Sequence, residues 1–372
     1  MVEKRFILGF ILGLALVFFS WPSVQQAQAS CGAVSCFVVI GSQQQVPSAG
    51  LLTVNAIYNY TPMRLLDGTN GVIPGIDQGS RQMILDHHQE TRTITQIATL
   101  DLNYGLTERF GLQLTLPYVW RTHHHIDGLG EDGANGEGEA TNFSANGIGD
   151  IRVGLKYNML PTLRSLVVLG FGLYLPSGNT HAQDNMGNVM ESTSQLGRGA
   201  VGLNPTLYQT YELIPHRLNQ FTSASYRHTF RNNDGYQFGD QWDFNAGLNL
   251  VTVPWLVVSS QFNYRYMVHD NFSSSLLRSA TPADAPNFPG DPIVIDPTIQ
   301  NRAVPTTGST FLSFTPGFNL SLDGIVDSVW TRMTSVYFFA AIPVARDSNN
   351  SLAQGTSYVF GLSRSFQMLD PA

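Results

Sequence analysis

Long segments of this chain alternate, residue by residue, between apolar and polar side chains. From Ala98 to Leu106 every second residue is apolar, while Thr99, Asp101 and Asn103 between them are polar. Similar alternation recurs after residues 109, 236 and 254. A period of two residues is that of a β-strand whose two faces meet different surroundings. The pattern therefore predicts an all-β protein with one apolar and one polar sheet face.

Twelve candidate strands can be counted, and the connections between them alternate in length. The strands are predicted to begin near residues 51, 94, 109, 148, 163, 195, 216, 236, 254, 306, 327 and 354. Short turns lie near 107–109, 160–162, 214–216, 253–254 and 323–326. Longer loops cover about 62–93, 121–147, 177–195 and 270–306, with two shorter ones near 231–236 and 346–353. An even strand number with short periplasmic turns and long extracellular loops is typical of outer-membrane barrels. We therefore expect residues 51–367 to form a transmembrane antiparallel β-barrel of about 12 strands.

The composition supports a barrel and excludes several other classes of protein. Only 13% of the 372 residues are charged, about half the share in soluble globular proteins. The 22 Phe, 14 Tyr and 5 Trp are too many for a disordered chain. Mean hydropathy is close to zero, which is incompatible with a bundle of apolar transmembrane helices. The net charge of −7 argues against nucleic acid as a partner.

The N-terminus has the three parts of a secretory signal peptide. Lys4 and Arg5 precede an apolar stretch from Phe6 to Phe19, and Ala27-Gln28-Ala29 is a small-x-small cleavage pattern. The apolar stretch is short for an uncleaved membrane anchor. We expect residues 1–29 to be the signal peptide and residues 30–50 to be a periplasmic N-terminal segment.

The two cysteines of the chain lie just after the expected cleavage site. Cys31 and Cys36 are predicted to form a disulfide in the oxidising periplasm. Lipidation of Cys31 is the alternative, although Gln28 stands where a lipobox has Leu or a similar residue. Two cysteines exclude a disulfide scaffold and a cysteine-based zinc site.

Several short motifs resemble those of a known family. Gly147-Ile148-Gly149-Asp150 leads into Arg152-Val153-Gly154-Leu155-Lys156-Tyr157, and Leu175-Pro176-Ser177-Gly178, Thr315-Pro316-Gly317 and Ala341-Ile342-Pro343-Val344 follow in order. Together with Phe366 near the end, the chain resembles, over about residues 98–366, the outer-membrane transporter family linked to the meta-pathway of phenol degradation. The resemblance implies a barrel that passes small, often aromatic or hydrophobic solutes, and it carries over no binding residues. Phe366 also resembles the signal that the barrel-insertion machinery reads.

The polar face of the alternating strands supplies the candidate transport residues. Period-two alternation directs mixed charges and amides into the lumen, where they either contact the solute or form a structural network that fills the barrel. These candidate lumen residues are Asp101, Asn103, Arg152, Lys156, Asp243, Asn245, Gln261, Asn263 and Arg265.

Two histidine clusters flank the first predicted hairpin after residue 94. One contains His87 and His88, and the other contains His123, His125 and Asp127. Both are expected in extracellular segments on the same side of the barrel, where imidazoles and carboxylates bind Zn²⁺, Cu²⁺ or Ni²⁺. On one strand only His123 and His125 share a face. The alternative is a run of polar loop histidines without a function.

The sequence predicts an outer-membrane channel that passes small organic solutes, aromatic or hydrophobic ones included, by passive diffusion. The alternative is a non-transport surface barrel whose His-rich and acidic loops bind metal, lipopolysaccharide or a protein partner. No enzymatic activity and no cofactor are predicted, because Ser223 and Ser225 face away from His228 by parity. The expected partners are outer-membrane lipid and lipopolysaccharide, the insertion machinery and a small organic solute.

Overall fold

The computed structural model describes residues 41–77, 82–127, 139–162, 164–184, 187, 189–272, 279–280, 304 and 306–369. Within these residues, no helix is long and apolar enough to cross a bilayer. The signal peptide and both cysteines lie outside the described residues.

Twelve strands form the barrel wall, one of them in two parts. They are β1 (Leu51–Arg64), β3 (Gln82–Gly105), β4 (Phe110–Asp127), β5 (Glu139–Ile148) continued by β6 (Ile151–Asn158), β7 (Ser165–Leu175), β8 (Gly202–Ile214), β9 (Leu218–Thr229), β11 (Gln241–Val253), β12 (Leu256–Met267), β15 (Ser309–Ser321), β16 (Thr334–Asp347) and β18 (Ser357–Gln367).

The sheet closes on itself through antiparallel pairs. Each wall strand pairs with its neighbours in the chain, and β1 pairs with both β3 and the last strand, β18. β5 and β6 both pair with β4, so they form one wall strand that is interrupted at Gly149-Asp150. Closure satisfies the backbone donors and acceptors without an open edge. The prediction of a 12-stranded antiparallel barrel is confirmed.

Short additional strands lie at the end of the barrel that carries the longer loops. β2 (Val72–Asp77) pairs with β3, and β17 (Ala353–Gln354) pairs with β1. β10 (Tyr236–Gln237) pairs with β13 (Asn271–Phe272), while β14 (Ser279–Ala280) runs parallel to β3. A 3-10 turn, Ser192–Ser194, lies in the loop between β7 and β8. These additions extend the wall beyond the region that the alternating pattern identified.

The two faces of the wall differ as the alternation predicts. On β1, Thr53, Asn55 and Asn59 are buried, whereas Tyr58 between them is exposed on the outer surface. The large outward side chains form an apolar belt that includes Leu100, Leu112, Leu155, Phe171, Leu207, Phe244, Leu248, Phe262, Phe360 and Leu362. Near the edge of this belt, the rings of Tyr118 and Trp120 pack with a distance of 4.6 Å between their centroids. An apolar belt with aromatic rims is the surface expected of a barrel in lipid.

Four predicted boundaries are wrong, and one of them is the start of β8, which lies at Gly202 and not near 195. β3 begins at Gln82 and not near 94, and β4 continues to Asp127, so parts of the expected loops 62–93 and 121–147 are strand. The eleventh wall strand begins at Thr334, because residues 322–333 form a turn that leaves Trp330 79% exposed. The alternation fades above the belt, where both faces of a strand meet polar surroundings. Strand ends there cannot be seen in the hydrophobic pattern.

Gly361 permits a close contact between two strands of the wall. Gly361 on β18 lies opposite Tyr337 on β16, and a Cβ at this position would stand 2.1 Å from the tyrosine ring. Tyr337 packs there with Ile57, Phe339 and Val359. The ring of Tyr337 thus fills the space that a side chain at position 361 would need.

Candidate functional site

The polar interior contains the lumen residues predicted from parity. Eight of the nine are buried: Asp101, Asn103, Lys156, Asp243, Asn245, Gln261, Asn263 and Arg265. The ninth, Arg152, is half-buried and donates to Gln113 Oε1 at 2.7 Å. Parity therefore placed these side chains on the correct face, while their role in transport stays a prediction.

On one side of the lumen the carboxylate of Asp101 organises its neighbours. It accepts hydrogen bonds from Asn55 and Asn103 on one oxygen and from Gln113 and Thr115 on the other. This network joins three adjacent strands across the hairpin turns. Asp101 is 0% exposed, so its charge is compensated by these donors and by the nearby ammonium of Lys156.

A second network lies on the opposite part of the wall. Arg265 Nε donates to Asp243 Oδ1 at 2.7 Å, and Gln241 and Ser225 donate to the other oxygen of that carboxylate. On the periplasmic side of this pair, amide and hydroxyl groups of Asn245, Asn263 and Thr315 form a chain of hydrogen bonds. Satisfied networks of this kind fix side-chain positions inside a polar interior.

Between the two networks lies a cavity of about 190 Å³, which we call the chamber. Its charged lining consists of four cations and one carboxylate: Arg152, Lys156, Arg227, Arg265 and Asp243. Lys156 donates to Asn103 Oδ1 at 2.5 Å. Arg265 is paired with Asp243, and Lys156 and Arg227 lie near the carboxylates of Asp101 and Asp150, so the chamber and its surroundings have an excess of one positive charge.

Arg227 contacts the chamber wall through an aromatic ring and a carboxylate. Its guanidinium lies 3.7 Å from the ring centroid of Tyr174 and 4.0 Å from Asp150 Oδ2. The side chain is buried, and its Nε has no hydrogen-bond partner among the described residues. Sequence reasoning did not select Arg227, although its place on the inward face of β9 could have identified it.

Residues 41–48 enter the barrel from the periplasmic end. The carbonyl of Gln43, at the end of the short helix Gly41–Gln44, accepts a hydrogen bond from Lys156. Val46 packs against a buried cluster of Val168, Tyr208 and Phe221. The expected periplasmic segment 30–50 thus contains a portion that lines the chamber and narrows its periplasmic exit.

The loop between β7 and β8 folds into the extracellular mouth. Arg121 donates to the carbonyls of Thr193 and Gln195 at 2.9 Å each. Gln195 in turn bonds to the backbone of Ala182 and Met190. We call residues 189–196 the mouth loop. The mouth loop is therefore fixed to the inner face of β4.

A buried charge network joins the other extracellular loops. Tyr236 donates to Asp270, which also accepts the amide of Gly239 at 2.6 Å. Burial raises the pKa of the Asp270 carboxyl, and burial together with Asp270 raises the pKa of Tyr236 well above its usual value. Burial lowers the pKa of Arg198 in the same region to about 9. These loops are held by interior contacts.

The two histidine clusters meet on the inner face of the extended hairpin β3–β4. A bulge at Thr91 lies between the pairs Glu90–His125 and Thr93–His123. Because the bulge inserts one residue, Glu90 and Thr93 share the face that carries His123 and His125. His88, two residues before Glu90, lies on this face as well. His88, His123 and His125, which were expected in loops, therefore lie on strands and point into the mouth.

The buried side chains of this group lie within ligand distance of each other. Ligand atoms of His88, Glu90 and His123 are all within 4.8 Å of one another. The rings of His123 and His125 are stacked at 5.0 Å, and His88 lies 4.9 Å from His125. Glu191 of the mouth loop approaches His88 Nδ1 to 3.4 Å. We call these five residues the mouth cluster; the side chains of His87 and Asp127 lie outside the described residues.

A comparison with family models covers more than half of the chain. Residues 77–271 match the model of the family described as the MetA-pathway of phenol degradation. The chain belongs to this family. The matched region includes the mouth cluster and all four chamber cations. Among curated proteins, no sequence matches the chain.

Solved structures similar to this family member are outer-membrane barrels. The COG4313 outer membrane channel from Pseudomonas putida F1 has a TM-score of 0.52 and 11% identity, covering 88% of this chain and all of that one. The transport unit of the autotransporter AIDA-I from Escherichia coli has a TM-score of 0.45 and 10% identity, covering 89% and 94%. The Ralstonia pickettii toluene transporter TbuX has a TM-score of 0.40 and 11% identity, covering 86% and 90%. The first of these likenesses supports the barrel fold.

The family motif around Asp150 has a structural role in this member. Its carboxylate accepts the backbone amides of Gly178 at 3.3 Å and Arg198 at 2.9 Å. These contacts hold both ends of the β7–β8 loop over the interruption between β5 and β6. The motif therefore positions the mouth loop and lies beside Arg227.

The residues considered for catalysis lie on opposite faces. Ser223 and Ser225 bond to lumen residues, whereas His228 pairs with Asp240 at 2.7 Å beside Phe230. The solved structures described above are channels and transport units.

Proposed function

We propose that this family member is a passive outer-membrane channel for small organic solutes, and that it favours solutes that carry a carboxylate. The apolar belt and closed sheet suit the barrel to a lipid bilayer. The chamber lies on the route between the mouth loop and residues 41–48. A solute that crosses the barrel along this route passes the chamber cations.

Arg227 is the observation on which the preference for a carboxylate rests. Its guanidinium faces the chamber, stacks on Tyr174 and has an Nε without a hydrogen-bond partner among the described residues. A guanidinium binds a carboxylate through two parallel hydrogen bonds. Arg152 lies on the same wall, 5.9 Å from the Tyr174 ring centroid. Together they form a cationic contact for an anion beside an aromatic ring.

The size and lining of the chamber favour a small solute. A volume of about 190 Å³ accommodates a single-ring molecule and excludes long oligomers. The ring of Tyr174 offers an apolar surface next to the cations, so an aromatic acid matches both features. A weak site of this kind speeds entry without trapping the solute.

Ion selectivity in planar bilayers tests the proposal. The refolded protein should give chloride-selective steps under a KCl gradient, and added benzoate should reduce their conductance. Removing one cation changes the interaction with a passing anion by about 0.7 kcal/mol at roughly 6 Å in water. The Arg227→Gln variant should therefore lower chloride entry and raise potassium entry about threefold each, so that the chloride-to-potassium permeability ratio falls about tenfold.

The matched control is Arg332→Gln, because Arg332 is exposed on the periplasmic turn and paired with Asp327. This variant should keep the selectivity of the unaltered protein. A cation-selective channel, or equal ratios for the two variants, would contradict the preference for anions. A folded barrel that never conducts would favour the non-transport alternative.

A further inference from the structure

We propose that His88, Glu90 and His123 bind a divalent late first-row transition metal of the Zn²⁺ type inside the extracellular mouth, with His125 and Glu191 beside it. The site is independent of the proposed solute. It uses residues that the interpretation of the chamber leaves without a role.

The spacing of the ligand atoms is close to that of a metal site. Two ligands at about 2.0–2.1 Å from a tetrahedral zinc ion lie roughly 3.3 Å apart. In the structure, His123 Nε2 and Glu90 Oε1 are 4.0 Å apart, and the three ligand atoms lie within 4.8 Å of one another. Small rotations of these side chains bring the atoms to coordination distance.

One side of His123 is already held in a position suitable for a ligand. Its Nδ1 lies 2.6 Å from Thr93 Oγ1. Its Nε2 has no hydrogen-bond partner among the described residues, although the side chain is 1% exposed. Metal-binding imidazoles usually have their second nitrogen fixed in this way by a hydrogen bond. This buried imidazole nitrogen faces the Glu90 carboxylate at 4.0 Å, a separation that leaves room for a cation to bridge the two groups.

The donor types select among metal ions. Imidazole nitrogens favour Zn²⁺, Cu²⁺ and Ni²⁺, whereas Ca²⁺ and Mg²⁺ prefer oxygen ligands only. The carboxylates of Glu90 and Glu191 offset the charge of a divalent ion in this buried position. Arg121 nearby is engaged by the carbonyls of Thr193 and Gln195.

The site joins three separate parts of the mouth. His88 and Glu90 lie on β3, His123 lies on β4, and Glu191 belongs to the mouth loop. Ser351 of the loop before β18 donates to Glu90 at 2.8 Å. A bound ion would therefore hold the mouth loop against the wall that it already contacts.

Zinc binding by the refolded, tag-free protein tests the inference. In competition with a chromophoric zinc chelator, the unaltered protein should bind one equivalent of Zn²⁺ with millimolar Ca²⁺ and Mg²⁺ present. The variant His88→Ala/His123→Ala should lose affinity at least 100-fold. His124→Ala is the matched control, because His124 lies on the same strand, on the other face, and bonds to Asn142. It should bind as the unaltered protein does.

A second measurement needs no variant. Co²⁺ added to the unaltered protein should give the visible absorption bands of a tetrahedral site, and Zn²⁺ should abolish them. Absence of one-equivalent zinc binding by the unaltered protein would overturn the inference. Equal loss in the His124→Ala variant, with both variants folded by heat-modifiability on gels, would overturn it as well.

Discussion

The mouth cluster and the chamber are two polar sites along one lumen, and they have opposite electrostatic character. The mouth cluster combines three imidazoles with two carboxylates. The chamber is lined by four cations and one carboxylate, and the carboxylates of Asp101 and Asp150 beside it leave an excess of one positive charge. The first arrangement suits a metal cation and the second an organic anion. A single closed wall thus presents different chemistry at different depths.

The difference arises from local structure as well as from composition. In the chamber, inward residues follow each other at regular intervals of two along β6, β9 and β12. In the mouth, a bulge in β3 and a loop from another part of the chain bring residues 88 and 191 together. Regular parity gives a broad, evenly lined cavity, whereas the bulge and the loop give a compact group of ligands.

The largest effect is expected from Glu90→Gln in the mouth cluster. The amide keeps the shape and can still accept from Ser351, but it loses the negative charge and the preferred oxygen ligand. Outer partners of metal ligands typically contribute 10–100-fold to affinity, so loss of the carboxylate ligand itself should weaken zinc binding about 100-fold. Chelator competition measures the affinity. Glu212→Gln at the periplasmic end of β8 is the control, and an unchanged affinity for Glu90→Gln would remove Glu90 from the site.

The next largest effect is expected on ion selectivity, from a charge reversal in the chamber. Arg227→Glu changes the local charge by two units, which corresponds to roughly 1.4 kcal/mol at about 6 Å in water. Chloride entry should therefore fall and potassium entry rise about tenfold each, so that the permeability ratio read from the reversal potential in a KCl gradient falls about 100-fold. Arg332→Glu on the exposed turn should leave the ratio unchanged. If both reversals act equally, selectivity depends on net charge and not on the chamber.

The sequence predicted the chamber better than the mouth, for a physical reason. Asp101, Asn263 and Arg265 lie on strands that cross the apolar belt, where lipid on one face enforces strict alternation. The mouth lies above the belt, so the alternation is lost and β3 was predicted to start twelve residues too late. The bulge at Thr91 shifts the parity of Glu90, and Glu191 reaches the site through a loop whose path no local pattern specifies.

The smallest effect on zinc affinity is expected from a variant that changes only how one ligand, His123, is oriented. Thr93→Val removes the hydroxyl at His123 Nδ1 while keeping the volume and the buried position. Loss of one neutral hydrogen bond, worth about 1 kcal/mol, should weaken zinc binding about fivefold. Thr95→Val is the matched control, because Thr95 is buried on the same strand and its hydroxyl has no hydrogen-bond partner among the described residues. Thr93→Ser should restore the affinity. If Thr93→Val and Thr95→Val bind zinc equally, His123 is not held for the metal by this hydrogen bond, and the distinction between an ordered mouth cluster and an evenly lined chamber weakens.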